Sequence, residues 1–343
     1  MKSVVLVGGM GTRLRPLTYQ TPKQMLPLVG SPIIEYVLGG LYQHGVTDAV
    51  LSLGYLPDRF IEAYPDNVIG GVRVSYAVEP EPNGTAGAIR FAAEYAAIDE
   101  TFLVVNGDVL TDLDISRLLT FHRERGAEAS ISLHAVVDPS LYGVVPTTDD
   151  GQVIDFVEKP SRDEAPTNLI NAGVYLFEPS VLERIDAGRP VSVERETFPA
   201  LATEGALFAL ADGAYWLDTG TPDTFLTANV DVLEGRNGRH GPHPTGVVGT
   251  SWHHPSAWVA DDATVRRSVI DRDCVVGAGV ELDRVVLMPG SIIEDNAVVR
   301  NCIIGPGAII GSRAHLGATC VVGAGERVEP GESLKGDVRV GGA

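Results

Sequence analysis

The sequence predicts two folded parts in series: a doubly wound α/β domain over residues 1–234 and a β-helix of stacked short repeats over residues 258–334. Three observations carry that prediction. Through the first part, short apolar runs alternate with amphipathic stretches, the pattern of parallel strands joined by crossover helices. After Glu234 the chain turns to Gly235-Arg236-Asn237-Gly238-Arg239-His240-Gly241-Pro242-His243, which punctuates rather than continues a helix. Beyond that stretch, aliphatic residues recur at every sixth position. The length agrees, since 343 residues exceed one ordinary core at about 150 residues per domain.

In chain order, strands are expected at Val4–Val7, Ala49–Leu53, Arg73–Ala77, Phe102–Val105, Ser130–Val136, Tyr142–Pro146, Ala172–Phe177 and Ala206–Leu210. Ser31 is expected to cap a helix with Pro32 in its first turn, because Ile33, Ile34, Val37, Leu38 and Leu41 then share one face. Further helices are expected over Ala86–Tyr95 and Ile115–Arg125. In such a domain the ligand lies beyond the carboxyl ends of the strands. Residues 235–257 read as a linker. Its His240, His243, His253 and His254 have neither Cys partners nor an i, i+4 helical pair, so they read as solvated rather than metal-binding.

The repeats follow. Ile270, Val276 and Leu282 are six residues apart, as are Leu287, Ile293 and Val299, and then Ile304, Ile310, Leu316, Val322 and Val328. The block starts Ile270, Leu287, Ile304 and Val322 lie 17, 17 and 18 residues apart. Three hexads per coil with inward aliphatics describe a coil that buries its face only by stacking on the next. Residues 335–343 read as a tail. Cys274, Cys302 and Cys320 are odd in number and lack the CxxC spacing of metal sites, so they read as small buried hydrophobes in a reducing compartment.

With 26 Lys and Arg against 45 Asp and Glu, the formal charge is −19. That is opposite to the basic footprint of proteins that neutralise phosphate backbones, and argues against nucleic-acid or anionic-membrane partners. Met1-Lys2-Ser3 runs directly into Val4-Val5-Leu6-Val7 and glycines, too short an apolar run for a signal segment or a membrane span. The expectation is a soluble cytoplasmic protein acting on small molecules.

Gly8-Gly9-Met10-Gly11-Thr12-Arg13-Leu14-Arg15 follows the first strand. Glycines there let backbone N–H groups approach an anion closely, and the arginines add charge for a polyphosphate. The loop is not GxxxxGK[ST], and Leu14 stands where GxGxxG needs its third glycine. It is followed by Thr21-Pro22-Lys23-Gln24-Met25-Leu26-Pro27, Glu79-Pro80 with Asn83-Gly84-Thr85-Ala86-Gly87-Ala88, and Asn106-Gly107-Asp108. Then come Tyr142-Gly143-Val144-Val145, Glu158-Lys159-Pro160, Asn171-Ala172-Gly173-Val174-Tyr175 and Trp216-Leu217-Asp218-Thr219-Gly220. In this order the blocks resemble the signature of the sugar-1-phosphate nucleotidylyltransferases, whose catalytic domain is Rossmann-like. The repeats resemble the left-handed β-helix of the hexapeptide-repeat proteins. Together they narrow the resemblance to the branch containing the mannose-1-phosphate guanylyltransferases, which Val191-Ser192-Val193-Glu194-Arg195-Glu196-Thr197-Phe198-Pro199 is also similar to.

The resemblance implies a reaction in which a sugar 1-phosphate attacks the α-phosphorus of a nucleoside triphosphate, giving a nucleotide sugar and pyrophosphate. Two anions must meet, so positioning and charge neutralisation are the main catalytic tasks. By the same resemblance Arg13, Lys23 and Asp108 are catalytic, with Arg15 a lesser candidate. Leu6, Gly8, Gly9, Gly11, Thr12, Arg13, Glu79, Gly84 and Thr85 bind the nucleotide, and Gly143, Glu158, Lys159 and Asn171 bind the sugar phosphate. Asp108 and Asp218 hold Mg²⁺, whose remaining octahedral positions go to phosphate oxygens and water. Glu79 implies guanine, because an acceptor-only carboxylate suits the N1–H and N2–H₂ donors of that base. Mannose 1-phosphate is the expected acceptor; another nucleotide, or another hexose or cyclitol phosphate, stays open. Two readings of other classes are a catalytically silent regulatory subunit and a hexapeptide-repeat acyltransferase. The presence of Arg13, Lys23, Asp108 and Asp218 speaks against the first, and only His315 supports the second. A homo-oligomer is expected through the β-helix.

Overall fold

The computed structural model describes residues 1–237 and 246–342; residues 238–245, with His240 and His243 of the expected linker, and residue 343 lie outside the described residues. The chain divides into two compact units, Met1–Gly8 with Val37–Trp216, and Gly9–Tyr36 with Leu217–Ala343. The sequence boundary at 234 is therefore not where compactness divides the chain, because the Gly9–Tyr36 segment groups with the C-terminal stretch.

In the first unit, Val72–Val78, Asp48–Leu53, Lys2–Leu6 and Phe102–Asn106 lie side by side and parallel. Strand order reverses between the last two, so a switch point forms where Leu6 pairs with Asn106 at their carboxyl ends. Beyond Phe102–Asn106 the expected parallel pattern stops. Leu169–Phe177 runs antiparallel to it, Ala129–Ala135 antiparallel to that strand, and Leu207–Ala211 parallel to Ala129–Ala135. The reason is the connection: between Ala135 and Leu169 the chain supplies only a hairpin of Gly143–Val144 with Val157–Glu158 and a short 3-10 turn, no crossover helix. The expected strand Tyr142–Pro146 shrinks to Gly143–Val144.

The helices Gly84–Tyr95 and Ile115–Arg125 form as the pattern predicts. Asp114 caps the latter by accepting from the amides of Ser116 and Arg117 at 2.9 and 3.1 Å, and Gly126 ends it in the left-handed region. Aromatic packing closes the core, with Phe198 meeting the rings of Phe156, Tyr175 and Phe177 at 5.2, 5.2 and 6.1 Å.

In the second unit, the expected helix cap at Ser31 gives way to a hairpin. Pro27–Leu28 pairs with Ser31–Pro32 and the helix Ile33–Gln43 starts only afterwards. The connecting residues Val29 and Gly30 both have positive φ, 45° and 85°, the backbone of a tight two-residue hairpin turn. A β-branched residue seldom adopts that conformation. It is held here by the Val29 amide donating to Asn229 Oδ1 at 3.0 Å, and by the Trp252 ring filling the space a Gly30 side chain would need.

The repeats form a parallel β-helix. All eleven positions singled out by the six-residue spacing are at most 3% exposed. Stacking begins before residue 258, since Ser251–His253 pairs with Val269–Ile270, so His253 stands half-buried in a strand of a stretch read as linker. It also runs past residue 334, since Arg339–Val340 pairs with Cys320–Val322 in the stretch read as tail. The one longer coil places its extra residue at Gly317-Ala318-Thr319, where Ala318 and Thr319 both take positive φ in place of the single such residue at Arg284 or Asn301. Cys274, Cys302 and Cys320 are buried free thiols. The helix Pro222–Leu233 is fastened to the coils by Arg284, which donates to the Asp223 carboxylate at 2.9 Å, the Asp223 carbonyl at 3.0 Å and the Thr227 hydroxyl at 2.7 Å.

Candidate functional site

In the first unit, the switch point is shaped by glycine. The Gly107 amide donates to the Leu6 carbonyl at 2.9 Å, and a Cβ on Gly107 would overlap the Val7 side chain. Only glycine lets the turn fold so closely onto the first strand, and the next residue, Asp108, emerges half-buried in the two-residue turn before Val109–Thr111. On the neighbouring strand the register slips between Asn171 and Tyr175, a bulge of the kind that re-aims side chains beside active sites. Gly173 sits in it at φ 78°, where a Cβ would lie 2.7 Å from Asn106 Nδ2. Asn171 accepts from the Gly173 amide at 3.0 Å and donates to the Tyr175 hydroxyl at 2.9 Å. Burial pushes that phenol well above its ordinary range, and the negative charges of Glu194, Glu158 and Asp108 push the same way. Tyr175 is thus a neutral fixture facing an acidic site.

Gly143 and Glu158 are paired across the hairpin. The structure gives Gly143 an internal reason: a Cβ there would lie 2.5 Å from the Phe156 ring and 3.2 Å from Glu158 Oε2. Lys159, at φ 51°, holds its Nζ 3.2 Å from Glu158 Oε1, so a carboxylate and a cation sit side by side.

Glu79 ends the Val72–Val78 strand half-buried. Its Oε1 accepts from the Ser52 hydroxyl at 3.0 Å, and its Oε2 accepts from the Asn83 amide at 3.1 Å and the Asn83 side chain at 3.3 Å. A carboxylate has about four acceptor positions. Three are taken, which leaves room for a further donor on Oε1. Gly84 follows at φ 73°, pressed against the Val191 carbonyl, which a Cβ would approach to 2.5 Å. The Thr85 hydroxyl donates to Glu194 at 2.7 Å and accepts from the Val193 amide at 2.8 Å. Sequence reasoning does not foresee the contact of Glu194 with Thr85. Glu194 lies inside the Val191–Pro199 block, but its partner is 109 residues away and no local spacing reveals it.

The second unit carries the remaining candidates. Gly11, at φ 61°, leads into the short 3-10 turn Thr12–Leu14, and the Thr18 hydroxyl donates to its carbonyl at 2.8 Å. A Cβ on Gly11 would approach Lys23 Cβ to 3.2 Å, and one on Gly9 would stand 3.8 Å from Lys23 Cε. The glycines therefore serve as the bed on which the Lys23 stem lies. Arg13 stands 3.6 Å from Asp218, whose other oxygen accepts from the Gly220 amide at 2.8 Å. A Cβ on Gly220 would overlap the Arg13 guanidinium, which gives the glycine of the Asp218-Thr219-Gly220 block a physical reason. The structure thus brings together Arg13 with Asp218, Lys23 with Gly9 and Gly11, Glu158 with Gly143 and Lys159, and Leu6 with the Gly107-Asp108 turn.

Asp108 and Asp218 each present a carboxylate. Among the described residues no three or more His, Cys, Asp or Glu side chains gather into a cage. Each by itself is a hard oxygen donor, the chemistry a hard cation takes alongside waters and phosphate oxygens. His315 is exposed on an outer strand of the β-helix, in register with Val298 and Ser333. Among the described residues no helix is long and apolar enough to cross a membrane.

A family model described as Nucleotidyl transferase matches residues 2–235, and one described as GMPPB C-terminal domain matches residues 247–338, starting where the first outer strand Val247–Val248 does. The chain is 39% identical over 302 residues to a mannose-1-phosphate guanylyltransferase of Mycobacterium tuberculosis, covering 87% of this chain and 82% of that protein. It is 36% identical over 364 residues to a mannose-1-phosphate guanyltransferase of Hypocrea jecorina, covering 99% of each. Among solved structures it is similar to HddC from Yersinia pseudotuberculosis complexed with GMP-PN, with a TM-score of 0.58 and 30% identity over 66% of this chain and 97% of that one.

Proposed function

Because the chain belongs to the nucleotidyl transferase family and matches mannose-1-phosphate guanylyltransferases along nearly its whole length, we propose that it transfers GMP from GTP to mannose 1-phosphate, releasing pyrophosphate and forming GDP-mannose. The observation that carries the reading is the Gly107-Asp108 turn, which sets a carboxylate at the switch point where α/β sheets take ligands. The guanine assignment draws support from the GMP-PN with which HddC is complexed and from the acceptor left on Glu79 Oε1.

In this reading a phosphate oxygen of mannose 1-phosphate attacks the α-phosphorus of GTP. The bond to the oxygen bridging the α- and β-phosphorus breaks, and its electron pair leaves with pyrophosphate. Arg13 neutralises the triphosphate, and Lys23 lies beside the glycine loop to meet the phosphates. Glu158 and Asn171 take sugar hydroxyls while Lys159, held beside Glu158, takes the sugar's phosphate. Asp108 and Asp218 would hold Mg²⁺, which supplies charge neutralisation at the phosphates. A cytoplasmic location is part of the proposal, in keeping with the net charge of −19 and the free buried thiols. The test is a matrix of nucleoside triphosphates against sugar 1-phosphates, read by pyrophosphate release. GTP with mannose 1-phosphate should lead. A preference for ATP or dTTP would overturn the guanylyl assignment, and no release with any pair would favour the regulatory subunit.

A further inference from the structure

The hairpin that follows Lys23 in the second unit cannot hold its shape by itself. Its strands are two residues each, and in the pair of Pro27 with Pro32 neither partner has an N–H to give. The Ile33 amide closes its base by donating to the Leu26 carbonyl at 3.1 Å, and the Tyr36 hydroxyl donates to the Leu28 carbonyl at 3.0 Å. Its turn contains Val29 at φ 45°, and strain of this kind in a β-branched residue persists only where the surroundings over-determine it.

Two distant side chains of the same unit supply that hold, and neither is one of the aliphatic positions of the six-residue repeat. Asn229, 1% exposed in the helix Pro222–Leu233, donates from Nδ2 to the Phe225 carbonyl at 2.9 Å, which aims its Oδ1 at the Val29 amide. Trp252, buried on the strand Ser251–His253, lays its ring over Gly30, where a Cβ would lie 2.6 Å from the indole. What is fixed at the tip is passed to Lys23 through one residue. Leu26 accepts from Ile33 in the hairpin base, and its own amide donates to the Lys23 carbonyl at 3.1 Å, closing the turn Lys23–Met25. On the other side the Lys23 stem lies against Gly9 and Gly11.

We propose that Asn229 and Trp252 are positioning residues for Lys23, holding the Val29-Gly30 tip so that the Lys23 stem stays on its glycine bed. The proposal rests on the reading of Lys23 as the cation that meets the phosphates. It gives the helix Pro222–Leu233 and the first stacked strand of the β-helix a part in turnover, and it supplies a reason for a tryptophan where that strand departs from the aliphatic pattern.

A double-substitution cycle in the full chain tests this. Asn229→Ala should lower the kcat of pyrophosphate release by about ten- to a hundredfold, the cost of a small misplacement of a reacting group. Trp252→Phe keeps an aromatic ring but draws its far edge away from Gly30, so it should lower kcat less. In the Lys23→Ala background neither substitution should lower turnover further, because the group they position is gone. A loss of folded protein would instead lower both backgrounds by the same factor. Acetic anhydride labelling gives a readout apart from turnover: in Asn229→Ala the labelling rate of Lys23 should rise relative to the exposed Lys335 as its stem leaves the glycine bed. An equal fall in both backgrounds, or Lys23 labelling at the wild-type rate, would overturn the proposal. Wild-type turnover by Lys23→Ala would overturn the reading of Lys23 on which it rests.

Discussion

The β-helix and the carboxyl end of the α/β sheet both depend on close backbone approach, yet they spread its demands differently. In the coils a contact recurs at every rung: Ile270, Leu287, Ile304 and Val322 fill equivalent places and all are buried. At the sheet end each contact occurs once, Gly107 against Val7, Gly143 against Phe156, Gly173 against Asn106. A repeated contact spreads stability over many interchangeable positions, whereas a singular one fixes a particular side chain for chemistry. Substitutions in the two regions should therefore separate melting from turnover.

The largest separation is expected at the carboxylates. Asp108→Asn and Asp218→Asn keep shape and remove the charge a cation needs, so each should lower Mg²⁺-dependent pyrophosphate release by about a thousandfold, several kcal/mol at the barrier, with unchanged melting. Near wild-type turnover at limiting Mg²⁺ in either variant would remove that residue from the metal site. In the coils the reverse holds. Ile293 is fully buried, so Ile293→Ala should lower stability by about 2–5 kcal/mol while molecules still folded at assay temperature keep their kcat. A large fall in kcat without a fall in melting temperature would break the contrast.

Gly143→Ala lies between the two. The added methyl would meet the Phe156 ring at 2.5 Å, so overpacking should cost about 1–3 kcal/mol. The same methyl reaches Glu158 at 3.2 Å, so KM for mannose 1-phosphate should rise while KM for GTP holds. Equal increases for both substrates would mean the hairpin serves the fold alone.

This contrast also explains what can be read from the sequence. The six-residue spacing names eleven inward positions because the rule it states is local and repeated. It misses the ends of the β-helix, where Ser251–His253 and Arg339–Val340 stack without keeping the aliphatic pattern. The sheet end is legible only as resemblance. Nothing near Gly107 in sequence says that Val7 will lie against it, nor near Thr85 that Glu194 will take its hydroxyl. The Ser31 cap fails because a serine before a proline reads as a helix start, while the competing signal, the Val29-Gly30 turn, depends on support from the distant Asn229 and Trp252.

The smallest expected effect is at Glu79, where a binding role and a structural one share one carboxylate. In Glu79→Gln the amide oxygen is drawn towards the Asn83 amide and side-chain donors that now hold Oε2. The NH₂ group then takes the place of Oε1, beside Ser52, whose hydroxyl can turn to accept from it. The loop thus keeps its anchor, while the position left for the base changes from acceptor to donor. Guanine presents donors there and loses, whereas the O4 acceptor of uracil or thymine gains. Because only one oxygen is available, the change is about one hydrogen bond to a charged group, roughly 1.5 kcal/mol or about tenfold in GTP over UTP. Competition assays with the two nucleotides in wild type and Glu79→Gln would measure that ratio. An equal fall for both nucleotides, with the ratio unchanged, would show that Glu79 acts only by pinning the Pro80–Asn83 loop, and guanine selection would have to come from elsewhere in the site.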